Sequence, residues 1–470
     1  MTRNIRSQNS SAFVFDTLSR LREYALARGA QATFSWQRED SRLVRYANSA
    51  ISLNTTEDVT RLYVTALEAR RSVSINAVID PYDVPAMLRI VDRAIETLPH
   101  ASEIHYSRTI PCLSEDTYTD ANFDPELAEI DGAEITAFVE RATRGLETDD
   151  IMLSGNFTTG VCERAEMSTA SPHINYRRST DAGITLVLSS LKDKWEINAE
   201  QFVWRKADLD PESIYERLAW MREQYLTRPG VRLPLGRYNI VLGNAALSEY
   251  ANFLSYLSAS GRMEKLGYSM LSGDDIGKQV LSPLCTLVED PALLATFPVP
   301  VDSHGRRRER RAIFDRGVFT GFIREQSEAD EYGDTPTGHD VDQLSLALMP
   351  GDRDIRTIQD FASLPLDRDI LYIPYLHYVG IVNPSAGLIT GTSRFGALYL
   401  KRDGGIELPY NVRLTLSLKD LFGKHLSWLS AHSEPYGSSS SYGARNPGSI
   451  LVPALGGFED VEIEISNESF

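Results

Sequence analysis

The stretch that decides the reading of this chain is "GRYNIVLGNAALSEYANFLSYLSASGR", residues 236–262. "GRYNIVLGN" reads as a strand, and Asn244 is placed to cap a following helix by accepting from its exposed first-turn N–H groups. Leu247, Tyr250, Leu254 and Leu257 recur at helical spacing, so one face is apolar. Gly261 then offers a left-handed stop. Strand, tight turn and helix make a common frame for an active site, yet this helix carries one carboxylate, Glu249, and neither histidine nor cysteine.

The rest of the chain gives that helix its setting. With 470 residues it is long enough for two or three domains, and 42% hydrophobic and 24% charged residues are ordinary for a globular protein with real cores. A formal net charge of −17 argues against a nucleic-acid partner. The one basic run, "HGRRRERR" at 304–311, reads as a solvated turn. Three widely spaced cysteines form neither a disulfide framework nor a zinc ribbon, and they fit a reducing compartment. The N-terminal stretch lacks an apolar signal core, and no run approaches the roughly 18 apolar residues of a membrane span. A cytoplasmic protein with no membrane partner is expected.

Helices are predicted over 11–29, 80–98, 132–147 and 211–226. Three strands are predicted over 31–40, 41–58 and 59–78, with two or three more over 151–204. The acidic, aperiodic segment 111–131 reads as a linker. Later, Asp315–Gly317 and Asp403–Gly405 mark hairpin turns, and the polar run 435–448 reads as a flexible loop. Helices cluster early and hairpins late, without regular strand–helix alternation. The fold class is therefore α+β: an N-terminal helix–sheet–helix domain over 1–230 and a larger, β-rich C-terminal domain over 231–470.

No self-contained catalytic motif appears. A zinc-protease helix needs two imidazoles on one face with a carboxylate base beside them. None of the eight histidines precedes a glutamate, and none lies between His173 and His304. There is no nucleophile elbow, P-loop or dinucleotide fingerprint. His339, beside Asp340 and Asp342, reads as a hydrogen-bonding loop residue more readily than a metal ligand, and His377 as a core or interface histidine.

The C-terminal half nevertheless resembles a known family. "NPSAGLITGTSRFGALYLKRDGGIELPYNVRLTLSLKDLF", residues 383–422, is similar to a segment of the TldD/TldE (PmbA) metalloproteases, with Thr390–Gly391, Ser393, Pro409, Val412 and the Leu418–Phe422 block in order. "RRAIFDRGVFTGFIREQSEADEYGDTPTGH" and "GYSMLSGDDIGKQV" also match in order. Ser417 stands where that block has asparagine. In the family, TldD-type subunits carry two histidines flanking a glutamate on a helix, with a later cysteine; TldE/PmbA-type subunits lack them and pair with TldD. The 244–260 helix falls at that position without the ligands.

The resemblance therefore implies a TldE/PmbA-type subunit with no catalytic residue and no metal of its own, zinc being held by a TldD-like partner in a heterodimer, or a homodimer when the chain is alone. The substrate it implies is a small, unfolded or modified precursor peptide. Candidate groove or interface residues are Glu249, Thr337, Gly338, His339, Asn383, Thr390, Gly391, Ser393 and Arg394, and Gly391 is expected to admit another backbone. The alternatives are a regulatory binding protein, as the family's gyrase-modulator label implies, and a hydrolase with a site near His339.

Overall fold

The computed structural model describes residues 10–441 and 444–470; the expectation of no signal core partly concerns residues outside them. The fold is α+β, with an N-terminal helix–sheet–helix portion and a β-rich C-terminal portion. No described helix is long and apolar enough to cross a membrane.

The N-terminal sheet has seven described strands, ordered Arg71–Ile79, Ala50–Glu68, Gln31–Ala47, Ile151–Ser168, Ser171–Ser190 and Thr117–Asn122, with Glu196–Val203 also paired to Ser171–Ser190. Two helices cover one face. Ser10–Ala27 buries Val14, Leu18, Leu21 and Ala25, a run at helical spacing. Val84–Thr97 starts where the Asp83 side chain accepts from Ala86 N. Each fully buried leucine stabilises this layer by roughly 1.5–3 kcal/mol.

The predicted breaks at 40/41 and 58/59 are corrected. Gln31–Ala47 and Ala50–Glu68 are continuous, and the chain reverses at Asn48 and Ser49, whose φ values are 49° and 61°. The charged "RED" run at 38–40 does not end the strand, because its side chains are tied across the ladder, Arg38 to Asp58 at 3.0 Å. Segment 111–131 is likewise more than a linker. Thr117–Asn122 pairs parallel with Ser171–Ser190, and Thr117 Oγ1 lies 2.7 Å from Asn175 Oδ1. Asp124 then caps a single helical turn, Pro125–Ala128.

In the C-terminal portion, strand Gly236–Gly243 lies inside a seven-stranded sheet, parallel to Ile370–Ile373 and antiparallel to Leu455–Ile463. Helix Asn244–Ala259 leaves that strand directly and buries Leu247, Tyr250, Leu254 and Leu257, as their spacing predicts. Both expected ends differ. Asn244 is the first helical residue, with Gly243 at the cap position; its Oδ1 accepts from the first-turn N–H of Ala245 at 2.9 Å while its Nδ2 donates to Glu434 Oε2 at 3.2 Å. Gly261 is no left-handed stop: it opens a second short helix, Gly261–Lys265, capped by Ser260. The two ends of one amide thus serve the helix start and the cross-fold contact together.

Both hairpin turns are present, at Arg316–Gly317 and around Gly404, where φ is positive. The polar run 435–448 is not a loop in its described residues. Ser433–Ser441 and Ala444–Pro453 form a hairpin lying against the N-terminal sheet. Gly437 makes this approach feasible, since a Cβ there would stand 2.4 Å from the Phe202 ring. The basic run is also not wholly solvated: Arg308 is buried and paired with the buried Glu289.

Apolar side chains gather in three clusters. One surrounds helix Asn244–Ala259, and one lies under the N-terminal helices. The third is shared across the 230/231 boundary: Phe157, Trp195 and Met221 pack together with Val241, Tyr372 and Leu455.

Candidate functional site: a groove at the junction

A line of clefts follows this junction. The largest, about 690 Å³, is walled by Trp195 and Glu196 on one side and by His377, Arg394 and Arg413 on the other. A second, about 340 Å³, shares His377, Arg394 and Phe395 with it and continues to Glu200, Tyr375 and Tyr436. A third, about 140 Å³, shares Glu200, Gln201, Arg217 and Asn244 with the second. Together they form one groove passing the start of helix Asn244–Ala259.

Arg394 stands where the first two clefts meet. Its Nη2 and Nε donate to Glu196 Oε2 at 2.8 and 3.1 Å, and its Nη1 lies 3.4 Å from His377 Nδ1. Burial, and then the Arg394 charge, hold the His377 imidazole below its usual range, so it is neutral at pH 7. The backbone here is unusual. Tyr378 follows His377 with φ 53° in a bulged strand and is 79% exposed, while Phe395 follows Arg394 with φ 62°. Left-handed aromatic residues carry a local conformational cost and tend to mark functional surfaces.

The second cleft has an acidic floor. Burial raises Glu200 above the ordinary carboxylate range, against the pull of Arg217 and hydrogen bonds from Tyr436 and Asn198. Burial likewise raises Glu434, which Asn244 contacts, and Glu249 in the first turns of the helix. Tyr375 and Tyr436 are pushed upward by burial and by Glu200. Phenol hydroxyls and carboxyl oxygens give this floor both donors and acceptors, which suits backbone amides.

The residues singled out in the sequence divide. Arg394 is central, and Glu249 lies close enough to act on Tyr375. Ser393 lines the first cleft, but its hydroxyl is engaged by Val412 N at 2.9 Å. Gly391 faces Val379, 3.1 Å from where its Cβ would stand, so it accommodates a side chain of its own sheet and not an incoming backbone. Thr390 bonds Thr415, and Asn383 accepts from Ser385 and Ala386 in an exposed turn. Thr337 pairs with Arg324, and His339 Nε2 meets Glu309 O at 2.9 Å. Thr337, Gly338 and His339 line none of the three clefts. Sequence reasoning missed Glu200, Arg217, Tyr375, Glu434 and Tyr436, the last two hidden beside or inside a polar run. His377 belongs to the groove wall and not to a core.

The metallopeptidase resemblance implies zinc, which takes imidazole, thiolate and carboxylate ligands. Of the helix's polar side chains, Ser248 and Ser255 are buried and Ser248 bonds Ala245 O, which leaves Glu249 and Asn252 without any imidazole or thiolate beside them. Among the described residues no group of three His, Cys, Asp or Glu side chains is arranged to hold a metal. These residues do not fit a catalytic zinc site.

Residues 235–456 match the family model described as the PmbA/TldA metallopeptidase C-terminal domain. The whole fold is similar to TldE from Thermococcus kodakarensis at TM-score 0.79 and 15% identity, covering 96% of this chain and 100% of that one. It is also similar to two proteins titled as candidate modulators of DNA gyrase. The Thermotoga maritima protein matches at TM-score 0.74 and 14% identity, with 96% and 99% covered. The Bacteroides thetaiotaomicron protein matches at TM-score 0.76 and 15% identity, with 97% and 100% covered. The chain thus carries a match to the PmbA/TldA metallopeptidase C-terminal domain over residues 235–456, and along nearly its whole length its fold is similar to that of TldE.

Proposed function

We propose that this chain is a TldE-type, non-catalytic subunit of a two-component metallopeptidase acting on small, unfolded or modified peptides. A TldD-like subunit supplies the zinc and the general base. This chain supplies a wall of the peptide groove: Arg394 and His377 at its wide end, and the Glu200, Tyr375 and Tyr436 floor beside the helix. One observation carries the reading: the helix that begins at the groove has a single carboxylate, Glu249, and no imidazole. A metal-activated water needs ligands that this helix does not have. Three unpaired cysteines support a reducing, cytoplasmic setting.

The test is peptide cleavage by the chain alone, with added zinc, and with a TldD-like subunit. Cleavage only in the mixture supports the proposal, with the two subunits eluting together through an interface above about 1,000 Å². Zinc-dependent cleavage by the lone chain overturns it. Capture of gyrase with no cleavage in any mixture would favour the regulatory alternative.

A further inference from the structure

Away from the groove, strands Ile151–Ser168 and Ser171–Ser190 set two arginines directly opposite each other, Arg164 against Arg177. Like charges in directly opposed strand positions destabilise a sheet unless something neutralises them. Neighbouring arginines are so provided: Arg178 has Glu163, Arg308 has Glu289 and Arg445 has Asp181. Arg164 and Arg177 have no ion pair among the described residues. The Nε of Arg164 is sealed from solvent without an acceptor. Its guanidinium instead touches the Cys162 sulfur, whose own S–H points to Arg445 O at 3.3 Å. Glu166 is the carboxylate acting on Arg177, while Arg164 and Arg308 oppose it.

These groups border a small cavity of about 20 Å³ that also touches Thr119, Ser179 and Asn446. A single water needs about 10–15 Å³ measured this way, so the space suits one compact ion. Both side chains are half-buried; guanidinium groups stay charged there, and a charge partly withdrawn from water without a counter-charge is costly. We propose that the cavity between Arg164 and Arg177 is an anion site for one small inorganic halide-sized ion, chloride in the cell, that clamps the N-terminal sheet to Asn446–Pro447 in the hairpin strand Ala444–Pro453. Burial and the neighbouring Arg164 together bring the Arg177 guanidinium down to about 10, the direction expected of a cation lacking its counter-charge. Chloride in the cavity restores that balance.

Thermal unfolding of the full chain in sodium chloride and in sodium gluconate at equal ionic strength tests this, with bromide-soaked crystals as a second measurement. From about 10 to about 300 mM salt, the melting temperature should rise by about 2 °C or more in chloride than in gluconate. Arg177→Gln should abolish that difference. Wild-type crystals in bromide should show an anomalous peak between the two guanidinium groups. Equal behaviour in chloride and gluconate overturns the proposal. So does a missing bromide peak, whether or not the variant folds.

Discussion

Arg445 of the C-terminal hairpin grips Asp181 of the N-terminal sheet through two parallel bonds, Nε to Oδ1 at 2.8 Å and Nη2 to Oδ2 at 2.6 Å. Both side chains are buried, and the backbone N–H of Arg445 donates to the buried Glu39. Breaking one half of such a pair leaves the other charge stranded, at about 3–5 kcal/mol. Asp181→Asn should therefore lower the melting temperature markedly and speed hydrogen exchange in Ser433–Pro453. Arg445→Met together with Asp181→Leu should recover much of the loss. Unchanged exchange in Asp181→Asn would show that the hairpin is held elsewhere.

Glu200 predicts a pH dependence. Its folded-state value lies above the ordinary 4.5, so the folded chain holds this proton more tightly than the unfolded one. Its contribution to stability is full below about 4.5 and is lost as pH rises through the higher folded value. Glu200→Gln should flatten that decline and raise the melting temperature at pH 7 to 8 relative to the parent. Melting curves across pH check this; a variant that melts lower at every pH would refute it.

His377 should titrate below its ordinary 6.5, because burial and Arg394 disfavour the imidazolium. Its stabilising contribution is present above that ordinary value and lost as pH falls through the folded one. Arg394→Gln removes one of the two causes and should move the midpoint upward. Imidazole C–H shifts followed by NMR give both midpoints directly.

Glu249→Gln should leave cleavage by a reconstituted pair within a few-fold of the parent, since losing a general base costs roughly 10²–10⁴-fold. Gly391→Val should act through packing against Val379 and lower stability by about 1–3 kcal/mol, with little change in KM for peptide. A hundredfold loss of cleavage in Glu249→Gln would make the helix catalytic.

What the sequence made legible was periodic or locally punctuated. Leu247 to Leu257 announced a helix because a repeat of three to four needs no partner to be seen. Arg316–Gly317 announced a turn through its backbone preference. The groove was hidden because its members come from distant segments: Glu200, Arg217, Tyr375 and Tyr436 acquire their chemistry only by being buried together. The 435–448 run misled for a related reason. Serine and glycine there allow close approach to Phe202, a use indistinguishable from flexibility in one chain. Asn244 was half legible: its first-turn acceptor role follows from residue type, but its bond to Glu434, 190 residues away, does not.

The reach of Arg445 back to Asp181 bears on the order of events at the ribosome. When residues 171–190 emerge, the partner that will neutralise Asp181 is not yet made, since it lies 264 residues further along the chain. Strand Gly236–Gly243 similarly waits for Leu455–Ile463 on one side. The first half of the protein therefore cannot settle into its final form during synthesis, and this buried charge pair closes only when the tail arrives. Contacts this far apart make maturation slow and leave the nascent sheet exposed meanwhile. Such a chain gains from a chaperone that shelters its first half until translation ends.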